Sequence, residues 1–124
     1  MEITFTDREL DIMGVLWDRG SATVAEVRDR LDDVLAYTTV LTVLQTLEQK
    51  GYVRHEEEGK AYRYHPLVER AAAGRSALRH VTKKLFAGSP ELLLTQLVSD
   101  RRVSDDALRR MRKLLNDRLR EGRE

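Results

Sequence analysis

The stretch AYTTVLTVLQTLEQKG, residues 36–51, decides how the chain folds. Its apolar residues recur at the spacing of an amphipathic helix, namely Val40, Val43, Leu44 and Leu47. This pattern predicts a helix over about residues 38–50 that ends at Gly51. Four threonines stand within it, although threonine is a mediocre helix former because its β-branched side chain loses rotamer freedom in a helix. The place of those threonines on the helix surface therefore calls for an explanation.

Two capping boxes lie upstream of this helix. Thr6 with Glu9, and Thr23 with Glu26, each combine an N-cap threonine with a glutamate three residues later, so that free backbone N–H groups are satisfied at both positions. Apolar residues at helical spacing follow each box. They predict one helix up to Gly20 and a second, shorter helix after it.

The hydrophobic period changes from 3.6 to 2 after the threonine-rich helix. Two short strands are predicted over residues 52–56 and 61–65, with a turn through Glu58 and Gly59 between them, and Pro66 closes the second strand. Three helices followed by a β-hairpin predict a winged helix-turn-helix, a mainly α fold in which the small hairpin is the wing.

The chain beyond Pro66 is predicted to be helical throughout. Ser89-Pro90-Glu91 is a strong helix start, and Ser104 caps a last helix. Because these short helices carry apolar stripes but lack a core in a monomer, we expect a homodimer, the alternative being that they fold back on the first domain. The predicted domains are a winged-helix DNA-binding domain, residues 1–68, and a helical dimerisation domain, residues 69–124. The expected interface residues are Leu78, Val81, Leu85, Leu93, Leu97, Leu108, Met111 and Leu115.

The polar face of the threonine-rich helix predicts a DNA-reading surface. It presents threonine and glutamine and no acid, whereas an ordinary solvated helix would carry Glu, Lys and Arg. Threonine hydroxyls bond phosphate or base edges, threonine methyls contact the thymine methyl, and glutamine pairs with adenine N6 and N7. The alternative for Thr38 is a partial role as N-cap. The predicted DNA contacts on this helix are Thr38, Thr39, Leu41, Thr42 and Gln45.

The hairpin predicts a second contact surface. Arg54, Lys60 and Arg63 flank it and are placed to contact phosphate or the minor groove. Tyr62 and Tyr64 have the opposite parity to Arg63, so we expect both to pack inward against the third helix.

Charge is divided unevenly along the chain, whose formal net charge is +1. Residues 1–66 carry 8 Lys and Arg against 13 Asp and Glu, a net charge of −5, and residues 67–124 carry 14 against 8, a net charge of +6. An acidic DNA-binding domain with the run Glu56–Glu58 predicts weak non-specific affinity for DNA and binding that depends on base and shape contacts. The basic second half is expected to reduce the repulsion.

Composition argues against several classes of protein. With 41% hydrophobic and 35% charged residues the chain is neither disordered nor membrane-embedded, and its longest apolar runs are too short to span a bilayer. It contains no cysteine and no signal peptide pattern, so a cytoplasmic protein is expected. His55, His65 and His80 are scattered and no catalytic motif is present, so we expect no enzyme, no metal site and no cofactor.

The chain resembles the penicillinase-repressor family of winged-helix transcription regulators, the BlaI/MecI/CopY type. The similarity runs from about Phe5 to Leu115 through FTDRELDIMGVLWDRG, ATVAEVRDRL, AYTTVLTVLQTLEQKGYV, GKAYRYHPLV and LFAGSPELLLTQLV. It implies a homodimeric repressor of a short palindromic operator, with the third helix in the major groove, contacts at Thr38, Thr39, Leu41 and Thr42, and intertwined C-terminal helices. It also implies release by proteolysis, triggered by a membrane sensor-protease that detects β-lactams.

Two departures from the family pattern bear on the inducing signal. The family's cleaved Asn-Phe pair is missing, since Asn116 is followed by Asp117 and the only phenylalanines are Phe5 and Phe86. The cysteine-rich tail of copper-sensing members is also missing. Two further interpretations stay open at this point: a winged helix used for protein–protein interaction, and a repressor that senses a small molecule at the dimer seam.

Overall fold

A computed structural model describes residues 2–123 and confirms the predicted fold class. Six helices and three strands are found among the described residues. In chain order they are α1 (Asp7–Arg19), β1 (Ala22–Thr23), α2 (Val24–Arg30), α3 (Tyr37–Gln49), β2 (Val53–Glu58), β3 (Ala61–Pro66), α4 (Arg70–Leu85), α5 (Pro90–Val98) and α6 (Asp105–Glu121).

The predicted helix boundaries are confirmed where local chemistry sets them. In both capping boxes the threonine side chain accepts a hydrogen bond from the backbone N–H of the glutamate, and the glutamate carboxylate accepts one from the threonine N–H. Ser89 and Ser104 cap α5 and α6 as expected. Gly51, just after α3, has a φ of +83°, a conformation that glycine adopts without the steric cost of a Cβ atom.

The sheet has one strand more than the sequence predicted. Its order is β1-β3-β2, all antiparallel, and β1 contributes only the pairs Ala22 with Tyr64 and Thr23 with Arg63. A two-residue strand has no periodicity of its own, so it escaped sequence analysis. The hairpin register pairs Val53 with Pro66 and Glu58 with Ala61, and therefore the turn lies one residue later than predicted.

The core of the winged helix lies between α1, α2, α3 and the sheet. Tyr64, only 1% exposed, packs inward as predicted, whereas Tyr62 is 40% exposed and the prediction for it is wrong. Strand parity places both tyrosines on one face, but the core ends before it reaches Tyr62, which lies nearer the hairpin tip opposite Glu57. Among the described residues, the buried hydrophobic side chains with 0% exposure are Ile12, Met13, Leu16, Ala22, Val27, Val40, Leu44 and Leu47.

The chain divides into two compact units, Met1–Leu78 and Arg79–Glu124, so the boundary between them falls inside α4. The start of α4 belongs to the first unit because Ala73 and Ser76 are buried there, and the Ser76 hydroxyl accepts a hydrogen bond from the Ile3 N–H at 2.9 Å. The functional domain boundary after residue 68 stays a prediction, and its outer limits, Met1 and Glu124, lie outside the described residues.

The second unit has no closed core among its described residues. Neither α5 nor α6 contains a buried residue. No helix in the described part of the chain has the length and apolar character needed to cross a bilayer.

Candidate nucleic-acid interface

Packing of α3 on the core leaves its polar face exposed. Val40, Leu44 and Leu47 are fully buried. The opposite side of the helix points to solvent, with Leu41 half-buried at its edge. The exposed residues there are Thr38, Thr39, Thr42, Gln45 and Gln49. A helix held by one face thus presents threonine and glutamine to solvent on the other, and the second helix of a helix-turn-helix is the one that enters the major groove in proteins of this fold.

Two threonine hydroxyls on α3 donate hydrogen bonds back into the helix. Thr42 Oγ1 donates to the Thr38 carbonyl at 2.9 Å, and Thr46 Oγ1 donates to the Thr42 carbonyl at 3.0 Å. This geometry uses the hydroxyl proton within the helix, so the oxygen can act toward an outside group only as an acceptor, beside the methyl group. An acceptor next to a methyl suits a base amino group, such as adenine N6, with a neighbouring thymine methyl.

The N-terminus of α3 has no side-chain cap. Its N-cap residue is Ala36, so Thr38 does not cap the helix and that alternative is excluded. The first-turn N–H groups and the positive end of the helix dipole are therefore oriented as in helices that bind phosphate at their N-termini.

Two residues near this end were missed by sequence analysis. Val34, in the turn before α3, has a fully exposed side chain, and Tyr37, the first residue of α3, is partly exposed with the Arg28 guanidinium 6.0 Å from its ring centroid. The sequence did contain a signal for Val34. This apolar residue lies between two aspartates and the threonine-rich helix, in a turn, and turn residues are normally polar. Both residues lie at the N-terminal end of α3, close in sequence to the exposed threonines.

An ion pair fixes the C-terminal end of α3 to the start of α1. Lys50 Nζ lies 2.9 Å from Glu9 Oε1, and the same oxygen accepts the Thr6 N–H at 2.8 Å. The Glu9 carboxylate is buried, which raises its pKa, but the hydrogen bonds from Lys50 and Thr6 and the charge of Lys50 outweigh burial and lower the pKa overall. Glu9 therefore stays ionised and holds the recognition helix in place.

A second contact joins α3 to the wing. His55 Nδ1 lies 2.7 Å from Glu48 Oε1, and the His55 backbone N–H donates to Glu48 Oε2 at 3.2 Å. The His55 ring also meets the Tyr62 ring edge-on, with centroids 4.9 Å apart. His55 thus connects the wing to α3, and no cluster of metal-ligating residues is found in the described part of the chain.

The predicted wing cations differ in whether a neighbouring carboxylate already pairs with them. Lys60 is exposed at the hairpin turn, and Arg54 is exposed with its nearest carboxylate, Glu56, at 3.9 Å. Arg63 is engaged instead: its guanidinium lies 2.9 Å from Glu58 and 3.1 Å from Glu26. The hydrogen bond and charge of Glu58, with a smaller effect from Glu26, raise the pKa of Arg63.

The eight residues predicted for the dimer interface lie on α4, α5 and α6. Five are exposed in the single chain, Leu85 at 73%, and the other three are half-buried. The exposed ones are Leu78, Val81, Leu85, Leu97 and Leu115, and the half-buried ones are Leu93, Leu108 and Met111. Four further leucines on these helices, which were not predicted for the interface, are exposed as well: Leu92, Leu94, Leu114 and Leu119. Such an exposed apolar surface is unusual for a soluble monomer.

These features define the chain as a winged helix-turn-helix protein whose third helix exposes a polar face without an acid. Comparison with known proteins identifies the family: the family model described as penicillinase repressor matches residues 5–117. The chain belongs to the penicillinase-repressor family.

Similar proteins include named regulators and one complex with DNA. The methicillin resistance regulatory protein MecI of Staphylococcus aureus (strain N315) is 21% identical over 110 residues, 87% of this chain and 89% of that protein. The transcriptional regulator BlaI of Mycobacterium tuberculosis H37Rv is 42% identical over 64 residues, 49% of this chain and 46% of that protein. The solution structure of monomeric Bacillus licheniformis BlaI with the blaP half-operator is 28% identical, with a TM-score of 0.50, and covers 58% of this chain and 90% of that one.

Proposed function

We propose that this transcriptional repressor binds a short palindromic operator as a homodimer, with α3 of each protomer in the major groove of one half-site. The observation that carries the proposal is the exposed threonine and glutamine face of α3, held rigidly by the core and by the Glu9–Lys50 ion pair. The B. licheniformis BlaI complex with a half-operator supports it, because that relative shares the fold. The names of the relatives support genes for β-lactam resistance as the targets. Since a repressor acts on DNA, membership of this family supports the cytoplasm as its place of action.

The residues divide into base-reading and phosphate-binding roles. Thr39, Thr42 and Gln45 face outward at the first turns of α3 and read base edges, and Leu41 contacts a thymine methyl. Thr38 and the uncapped N–H groups bind phosphate. Val34 and Tyr37 extend the contact to the sugar-phosphate backbone beside the groove, and Lys60 and Arg54 bind phosphate from the wing.

Removal of the threonine hydroxyls on α3 tests the proposal directly. We expect Thr39→Ala and Thr42→Ala each to weaken binding to the repressor's own promoter DNA by about 1–3 kcal/mol, with little change in melting temperature. Fluorescence anisotropy with promoter and scrambled duplexes measures the effect. Thr95→Ala is a matched control, because Thr95 Oγ1 makes the same hydrogen bond to a carbonyl four residues back, at 2.7 Å, but on α5. Unchanged promoter affinity in both α3 variants would exclude this face from DNA recognition.

Two wing variants test whether the hairpin contacts DNA: one removes the exposed Lys60, and the other removes Arg63, which is already ion-paired. We expect Lys60→Ala to reduce the slope of log affinity against log salt by about 0.9, since one phosphate contact is lost. We expect Arg63→Ala to weaken binding about equally to all DNA sequences and to flatten the salt slope, because Glu58 then loses its cation while Glu26 keeps Arg19. DNA titrations at two salt concentrations measure these slopes. If both variants show the same slope as the wild type, the wing does not contact DNA.

A further inference from the structure

The two units of the chain carry opposite net charges. Residues 1–78 contain 10 Lys and Arg against 14 Asp and Glu, a net charge of −4, and residues 79–124 contain 12 against 7, a net charge of +5. A winged helix of net charge −4 repels DNA at long range, although it binds DNA at close range. The second unit, with its net charge of +5, carries the positive charge that could attract DNA at long range.

Four of the six cations on α6 lie along one side of the helix. Positions three, four, seven and eleven residues apart fall within about a third of the helix circumference. We name this set the α6 basic stripe: Arg109, Arg112, Lys113, Asn116 and Arg120. Beyond the first turn it contains no acid, and it lies beside the apolar stripe of Leu108, Met111, Leu115 and Leu119 rather than within it. The apolar and basic surfaces of α6 are therefore separate.

Neighbouring carboxylates neutralise the stripe only in part. Arg109 lies 2.7 Å from Asp106, and Lys113 lies 2.8 Å from Asp117, but these side chains are largely exposed, and such surface pairs are weak. Arg112 and Arg120 are exposed and make no ion pair with any residue the structure describes. The stripe thus offers two free guanidinium groups and two weakly held cations.

We infer that the α6 basic stripe binds the phosphate backbone of DNA that flanks the operator. From Arg109 to Arg120 the stripe is about 16 Å long, at 1.5 Å per residue, and so spans several successive phosphates. Exposed arginine and lysine side chains contact phosphate groups, which are the same at every base pair. The contact is therefore independent of the DNA sequence. The inference rests on the proposed operator binding and adds a second surface, on the second unit, that supplies the affinity the acidic winged helix lacks.

The test compares short and long DNA with the full-length protein. One duplex contains the promoter operator alone, and the other adds about 20 base pairs on each side. Arg112→Gln/Arg120→Gln removes two charges from the stripe, and Arg101→Gln/Arg110→Gln removes two exposed charges elsewhere in the same unit as the matched control. Sedimentation velocity and thermal melting check that each variant is folded, and Arg109→Gln/Arg120→Gln is the substitute if the first pair is not.

The expected result is confined to the long duplex. The ratio of affinities for the long and short duplexes should be about threefold or more lower in the stripe variant than in the wild type. On the long duplex the salt slope of the stripe variant should fall by about 2. Its affinity for the short duplex should be unchanged. Equal losses in the stripe and control variants would overturn the inference, as would a wild-type protein that gains nothing from the flanks. An unchanged salt slope in the stripe variant would overturn it too, in favour of an acidic protein partner. Failure of the wild-type protein to select the short operator over a scrambled duplex would instead refute the proposed function.

Discussion

Leu115→Glu is expected to convert the proposed homodimer into a monomer and to weaken binding to the proposed full operator by about 100-fold. Leu115 is half exposed on α6, in line with Leu108 and Met111 on the apolar stripe. A carboxylate placed in an apolar interface loses its hydration without gaining a partner, which disfavours association. Two half-site contacts that act together gain about 10²–10⁴ in apparent affinity over one, and a monomer loses that gain.

The adjacent residue supplies the control for this prediction. Asn116→Glu adds the same charge one position along α6, outside the apolar stripe, and should leave the protein dimeric. Sedimentation velocity reports the oligomeric state, and anisotropy with short full-operator and half-site duplexes reports the affinity. The predicted interface is wrong if Leu115→Glu remains a dimer that binds the full operator like wild type.

Lys50→Met is expected to lower the free energy of unfolding by about 2–3 kcal/mol at pH 7. The change leaves the carboxylate of Glu9, a residue only 3% exposed, without its cation. Removing one partner of a fully buried pair costs about 3–5 kcal/mol, and the loss here is smaller because the Lys50 side chain is 37% exposed. Urea unfolding at pH 7 measures the change, with the exposed Lys60→Met as control.

The pH dependence of this variant follows from the pKa of Glu9. In the wild type that pKa is lowered below its ordinary value of 4.5, so the ion pair stabilises the fold above that value and the contribution is lost as the pH falls below it. In Lys50→Met, only the hydrogen bonds of Thr6 oppose the effect of burial, so we expect the pKa of Glu9 to rise and the carboxylate to take up a proton more readily as the pH falls. The stability difference between variant and wild type should therefore shrink from pH 7 to pH 5. An equal difference at both values would show that Lys50 acts by packing alone.

The helices of this protein were predictable because their signals are local. Each capping box is made by two residues three positions apart, Thr6 with Glu9 and Thr23 with Glu26. Its hydrogen bonds therefore depend only on the local start of the helix. The polar face of α3 was equally predictable, since helical spacing alone assigns each residue to a side. The same local elements carry the resemblance to the penicillinase-repressor family, which the family model confirms.

Parts of the candidate interface depended on distant residues. Arg63 was predicted as a phosphate contact from its place in the hairpin, but the guanidinium also meets Glu26 on α2 and Ser21, 42 residues away in the sequence. The strand β1 that brings this region beside the wing is only two residues long. Neither feature has a pattern along the chain that would reveal it.

The sequence by itself determined the winged-helix class, the recognition helix and its outward-facing threonines, because side chains three to four residues apart interact whatever surrounds them. Only the tertiary structure decided which charged side chains form ion pairs within the protein and which do not. It engages Arg63 with two carboxylates, joins Lys50 to Glu9 across 41 residues, and leaves Arg112 and Arg120 without an ion pair among the described residues. The physical reason is that an ion pair depends on distances of a few ångströms between side chains, and the packing of helices and sheet sets those distances.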